Sequence, residues 1–153
     1  MTIDGGNKRL FYGVLAVVDI AYHGGGTPVR INDIADRQTI GKRYLEDILA
    51  QLTRAGVLNS ERGPRGGYVL ARERRRITLA DIADGIDKSN ERPHDKKTET
   101  RFNLTKKVVM PLWQHMEEQL LDVMKDITIE DVCLRARQQG IAQKSLEGLD
   151  WSI

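Results

Sequence analysis

"LNSERGPRGGYVLARERRR", residues 58–76, sets glycine, proline and arginine between apolar residues of strand type, and its reading decides the fold. A phosphate-cradling enzyme loop has a strand before it, a helix after it and usually a Gly-Lys-Ser/Thr ending. Here Arg62-Gly-Pro-Arg-Gly-Gly-Tyr68 runs into a second extended segment, so the stretch reads as a hairpin tip between strands 57–61 and 68–71. Gly63, Gly66 and Gly67 allow the backbone to approach a duplex closely. Arg62 or Arg65 can enter a minor groove, whose narrowness concentrates negative potential. The competing reading is a Gly-rich turn with its arginines in water.

Immediately upstream, residues 42–55 place Leu45, Ile48, Leu49 and Leu52 at i, i+3, i+4 and i+7, an amphipathic helix. Gly56 follows where a left-handed C-terminal residue is expected. Before it, Ile31 to Gln38 reads as a short helix with Ile34 and Ala35 inward and Asp33 near the positive N-terminal end. Thr39 and Ile40 form the turn between the two. Two helices, a tight turn and a hairpin amount to a winged helix-turn-helix, whose second helix enters the major groove. In its opening "GKRYLED" (41–47), Lys42 and Arg43 can donate to phosphate or guanine. Tyr44 can meet phosphate or a thymine methyl, and Glu46 can accept from a cytosine amino group. A solvated helix face is the alternative for these four residues.

Further out, residues 8–23 carry two apolar stripes, one through Leu10, Val14, Val17 and Ala21 and one through Phe11, Leu15, Val18 and Tyr22. A helix apolar on two sides packs against two neighbours. Glycines 24–26 with Thr27 and Pro28 stop it. Thr78 with Asp81 and Thr128 with Asp131 repeat a Thr-x-x-Asp start signal, which predicts two short helices. Residues 87–103 are polar and read as an exposed linker. Residues 104–127 are apolar at helical spacing, with Pro111 as a kink or as the true start. The tail after Arg137 is expected to be loosely ordered.

The 153 residues suit one domain that buries roughly two thirds of its unfolded surface. They are 40% hydrophobic and 30% charged, without an apolar run near the ~18 residues of a membrane span and without a leader, so a soluble, cytoplasmic protein is expected. Net charge is uneven. Residues 1–76 hold 13 Lys/Arg against 8 Asp/Glu, and residues 77–153 hold 11 against 14, so the first half is suited to a polyanion. The single cysteine, Cys133, lies with Ile129, Val132 and Ala136 on an apolar helix face, which predicts an inert buried thiol rather than a redox sensor. His23 and His115 read as surface or packing residues, and Met110, Trp113, Met116 and Met124 as core or seam. No nucleophile with a paired base, no metal-ligand spacing and no nucleotide fingerprint is present, which argues against an enzyme.

Residues 31–71, together with "ITLADIADGID" (77–87), "PLWQHM" (111–116) and "ITIEDV" (127–132), resemble the Rrf-two type of bacterial winged helix-turn-helix regulators, the group of IscR, NsrR, RirA and CymR. The resemblance spans about residues 7–137. It implies a mainly α fold with a small β-hairpin wing and a long C-terminal dimerisation helix. By the same resemblance, DNA-reading positions fall on Gly41, Arg43, Tyr44 and Glu46, beside Lys42, which residue chemistry adds. The wing positions fall on Arg62, Gly63, Pro64, Arg65 and Gly66, and Arg9 reaches phosphate. The long helix pairs with its twin in a homodimer through Leu104, Val108, Leu112, Met116, Leu120, Val123 and Met124.

Cluster-binding members carry three cysteines between the short fourth helix and the long helix, because iron-sulfur clusters are held chiefly by thiolates. Residues 87–110 contain none, and His94, Asp95 and Glu99 are not the soft ligands a cluster prefers. The expectation is therefore a member without cofactor or metal, more similar to CymR. It would be a homodimeric repressor of double-stranded DNA on a pseudo-palindromic operator, answering to an effector protein or small molecule and not to a membrane. Residues 1–86 form the DNA-binding domain, 87–103 a linker or effector loop, 104–137 the dimerisation helix and a final short helix, and 138–153 a tail. The alternative is a winged-helix interaction adaptor that does not read DNA, which has no need to aim Lys42, Arg43, Arg62 and Arg65 at one surface.

Overall fold

Helix α1 (Asn7–Gly24) supplies the central post of the molecule, with Ala16, Val17 and Ile20 buried along it. The computed structural model describes residues 7–86 and 103–144. After α1 come α2 (Ile31–Gln38), α3 (Lys42–Arg54), strands β1 (Leu58–Glu61) and β2 (Gly67–Leu70), α4 (Leu79–Gly85), α5 (Met110–Lys125) and α6 (Ile129–Gln138), with α2, α3, α4, α6 and β2 packed on α1 and α5 on α4. Ile34 from α2 and Leu45, Ile48, Leu49 and Leu52 from α3 meet that post, joined by Leu58, Ile77, Ile82 and Ile129. The i, i+3, i+4, i+7 spacing read from the sequence is thus the buried face of α3.

One carboxylate lies inside. The Asp19 carboxylate of α1 is buried and accepts from Arg37 at 3.0 and 2.7 Å and from Gln38 at 2.6 Å, which fixes the end of α2 on α1. Three donors are what make an ionised carboxylate tolerable there.

Strands β1 and β2 are antiparallel, with Leu58 opposite Leu70 and Glu61 opposite Gly67. The hairpin is also tied from outside, because Val29, between α1 and α2, exchanges backbone hydrogen bonds with Tyr68 at 3.0 and 2.9 Å. A Cβ on Gly67 would run into the Val29 backbone, so that approach needs glycine.

Both Thr-x-x-Asp signals are complete capping boxes. The Thr78 hydroxyl accepts from the Asp81 N–H at 3.1 Å while the Asp81 carboxylate accepts from the Thr78 N–H at 2.9 Å, and Thr128 with Asp131 repeats those distances. The two helix starts lie side by side. The Leu79 N–H donates to Ile127 and the Ile129 N–H to Ile77, both at 2.9 Å.

Pro111 lies in the first turn of α5, so of the two readings the start of the α-helix is the one that holds. Residues Thr105–Val109 form a wide π-type turn in which the Met110 N–H reaches back to the Thr105 carbonyl, and α5 continues from there. Pro111 has no N–H to give and its ring crowds the preceding turn, which a wider turn relieves.

Two further readings differ. Met124, expected on the dimer seam, is 8% exposed, turned inward at the end of α5, a helix that packs on α4. The first part of the tail is held rather than loose, since the Tyr22 hydroxyl donates to the Ile141 carbonyl and the Lys144 N–H donates to His23 Nδ1 at 3.1 Å. The linker 87–103, apart from Asn103, and residues 145–153 lie outside the described residues.

Candidate nucleic-acid interface

Helix α3 is anchored by one face and presents the other. Leu45, Ile48 and Leu49 are fully buried, while Lys42, Arg43, Tyr44 and Glu46 are exposed on the same turns. Gly41 gives no side-chain cap, so the first turn keeps free N–H groups beside two cations. Gly41, Lys42, Arg43, Tyr44 and Asp47 line an open depression there. The polar residues of this element point outward, as groove reading and a solvated helix face both require.

Arg9, expected to reach phosphate, is held against the protein in the DNA-free chain. It is 9% exposed, its guanidinium pairs with Asp47, and its Cζ lies 5.7 Å from the centre of the Tyr44 ring.

The wing tip is formed by exposed Arg62, Gly63, Pro64 and Arg65, with Gly66 half-buried. Gly63 takes φ +110°, and the Gly66 N–H donates back to the Gly63 carbonyl at 2.9 Å, closing the turn. A side chain at Gly66 would collide with the Glu61 and Arg62 backbone. Arg30, before α2, donates to the Pro64 carbonyl at 2.5 Å and so holds the tip from outside. Sequence reasoning missed Arg30, and no local signal marks a contact across 34 residues.

The arginines that follow the wing have a different use. Arg72 pairs with Asp81 at 3.3 Å, Arg75 with Glu73 at 2.8 Å, and Arg74 with Glu130, which also takes Arg137 at 3.1 Å. By contrast, Lys42, Arg43, Arg62 and Arg65 form no ion pair with another described residue. Arg72 and Arg74 fasten the base of the wing to α4 and α6, whereas Lys42, Arg43, Arg62 and Arg65 at the two tips are left uncompensated. An exposed ion pair adds little stability, whereas an uncompensated cation is available to an outside anion.

The family model for Rrf2, described as an iron-dependent transcriptional regulator, matches residues 7–135. The chain belongs to the Rrf2 family. Over 133 residues it is 31% identical to the HTH-type transcriptional regulator IscR of Xenorhabdus nematophila, a match covering 87% of this chain and 81% of that relative. The structure of T. potens IscR is similar with a TM-score of 0.69 and 31% identity, covering 94% of this chain and 93% of that one. CymR of B. subtilis, titled the global cysteine regulator, gives a TM-score of 0.63 and 26% identity over 88% of this chain and 98% of that one. This Rrf2 chain is a DNA-binding transcriptional regulator with a winged-helix fold, and members of the family are not enzymes.

The family's iron raises the question of ligands. The only thiol of the chain, Cys133, is fully buried on α6, and burial pushes its pKa up against the opposing influence of nearby Arg74. A thiol enclosed in the core cannot join others around a cluster, and the described residues hold no group of three His, Cys, Asp or Glu suited to a metal. The donor set does not fit an iron-sulfur cluster. His94, Asp95 and Glu99 lie outside the described residues.

Along α5, Leu112, Trp113, Met116, Leu120 and Val123 are all exposed and share one stripe, which extends back to Val109, Val108 and Leu104. Five large apolar side chains on one helical face, with Gln, Glu and Asp on the other, form a surface of the kind that another chain covers. No helix among the described residues is long and apolar enough to cross a membrane.

Proposed function

We propose that this Rrf2 protein is a cytoplasmic homodimeric repressor that reads a pseudo-palindromic operator without an iron-sulfur cluster. The observation that carries the reading is that Lys42 and Arg43 at the start of α3 and Arg62 and Arg65 at the wing tip are exposed and uncompensated, while Arg72, Arg74 and Arg75 below the wing are paired. Gly41, Lys42, Arg43, Tyr44 and Glu46 enter the major groove, and Arg62 to Gly66 meet the adjacent minor groove. The exposed stripe of α5 from Leu104 to Val123 joins the second copy, and a twofold pair of α3 helices sets the half-site spacing. An effector protein or small molecule then acts by changing that spacing or the wing.

Selection of bound sequences from random duplex DNA tests the reading. The expected result is a twofold-symmetric site with half-sites about one helical turn or a multiple apart. Affinity should fall steeply with salt, with a slope of roughly −0.9 per neutralised phosphate. No enriched sequence, with salt-insensitive binding to a protein partner instead, would mark an adaptor. Protein purified without oxygen should carry neither iron nor acid-labile sulfide. Visible cluster absorbance would overturn that part.

A further inference from the structure

Among the described residues, Arg9 is the only buried cationic residue, with 9% of its surface exposed. It leaves α1 beneath the start of α3, pairs with Asp47 and lies over the Tyr44 ring, while its Nε has no hydrogen-bond partner. Burying a cation is costly, and here the Asp47 carboxylate and the face of an aromatic ring are what offset it. Tyr44 is gripped from a second side, because Tyr12 of α1 meets it edge-on with ring centres 5.8 Å apart and planes at 87°. Only part of the Tyr44 ring remains open, 37% of the residue, on the depression lined by Lys42 and Arg43. Asp47, three residues on, has a half-exposed carboxylate that would repel a phosphate backbone if it were unpaired.

We infer that Arg9 is a positioning residue for base recognition, holding Tyr44 and Asp47 in one arrangement at the start of α3 and making no phosphate contact of its own. The inference rests on the proposal that α3 reads DNA. It separates two effects that an arginine near DNA ordinarily combines. A phosphate ligand contributes to affinity uniformly and to the salt slope, whereas a positioning residue contributes to discrimination between bases and leaves the slope alone.

The test compares the parent protein with Arg9→Gln and Arg9→Lys on the duplex selected by the parent and on duplexes altered at the bases facing the first turn of α3. Arg9→Gln should lower the ratio of affinities by roughly tenfold, on the scale of one lost base contact, with the salt slope unchanged. Arg9→Lys keeps the pair with Asp47 and loses the flat guanidinium, so it should retain an intermediate ratio. Arg9→Gln added to Tyr44→Ala should cost no further discrimination, because the two act as one unit. A slope reduced by roughly 0.9 would mean a phosphate contact and overturn the inference, as would an unchanged ratio. Thermal melts establish that each variant folds, and Asp47→Asn, which frees Arg9 without removing its charge, carries the same test if Arg9→Gln does not. The Tyr44 ring resonances of the DNA-free protein give an independent readout. If the parent selects no duplex, the DNA reading fails, and those resonances still decide the role of Arg9: a shift in Arg9→Gln supports positioning and unchanged signals overturn it.

Discussion

Val29 and Tyr68 are joined by a reciprocal pair of backbone hydrogen bonds, 3.0 Å from the Val29 N–H and 2.9 Å from the Tyr68 N–H, which makes the chain before α2 a short third rail of the wing. A two-stranded hairpin is marginal by itself in water, so this rail has a structural consequence. It depends on Gly67, whose missing side chain lets the Val29 backbone pass. Gly67→Ala should cost about 1–3 kcal/mol of stability through overpacking, and should weaken DNA binding more than it lowers the melting temperature of the helical core. Urea denaturation and DNA titration check the two effects, and equal losses in both would mean that the wing is not the element affected.

Arg62 and Glu46 lie on different tips and should fail differently. Arg62→Ala should weaken binding by about 1–3 kcal/mol, concentrated on operators with A/T-rich flanks, where a narrow minor groove attracts a guanidinium. Glu46→Ala should relax the base preference more than it lowers affinity, because it removes an acceptor and not a phosphate ligand. Competition binding against operator variants measures both. Parent-like behaviour in the two variants would remove both residues from the interface.

Leu112 and Val123 stand on the same exposed stripe of α5. Burying such a side chain is worth about 1.5–3 kcal/mol, and a twofold interface counts each residue twice. Leu112→Glu or Val123→Glu should therefore turn dimers into monomers in light scattering at micromolar concentration. Operator affinity should fall in parallel while the helical content of each protomer is kept, since neither side chain belongs to the protomer core.

Periodic features were legible in the sequence and isolated long-range contacts were not. The apolar spacing of Leu45, Ile48, Leu49 and Leu52 and the two Thr-x-x-Asp boxes are local patterns, so each element could be read from its own residues. The Val29 rail has no period, being one residue in an extended conformation. The Arg9–Asp47 pair spans 38 residues, and in sequence Arg9 looks like any cation at a helix start. Asp19 lies outside both apolar stripes of its helix, and nothing local shows that it is buried against Arg37 and Gln38. Met124 follows the same spacing as its exposed neighbours, and only the place where α5 meets the body turns it inward. Pro111 gave two alternatives, a kink or a start, and it stands in the first turn of α5, with a widened turn before it that no local signal marks.

Cys133 is enclosed by the core, and burial raises its pKa although Arg74 acts the other way. In the native protein a thiol reagent should label it only at the rate of opening, and labelling should accelerate with denaturant as unfolding does. Cys133→Ser places a hydroxyl in the same site and should cost about 1–3 kcal/mol. Because the folded pKa is raised, the stability linked to this thiol is fully present below the ordinary thiol value. It is lost as pH climbs from there through the raised one. Fast labelling of the native state would instead mark an accessible thiol.

Asp131 gives the opposite pH dependence. The Thr128 backbone N–H bonds its carboxylate and the Thr128 hydroxyl completes the box, so the Asp131 pKa is held below the ordinary carboxylate value, with Arg135 adding a smaller pull. A depressed folded pKa contributes stability above the unfolded value, and that contribution disappears as pH falls through the folded one. Asp131→Asn should thus be less stable than the parent at neutral pH, with the gap closing on acidification as both proteins lose the charged cap. Because α6 starts beside α4 through the Leu79–Ile127 and Ile129–Ile77 bonds, loosening this cap should also speed hydrogen exchange at Leu79, on the neighbouring helix. A gap of constant size across that pH range would show that the carboxylate charge has no part in holding the two helix starts together.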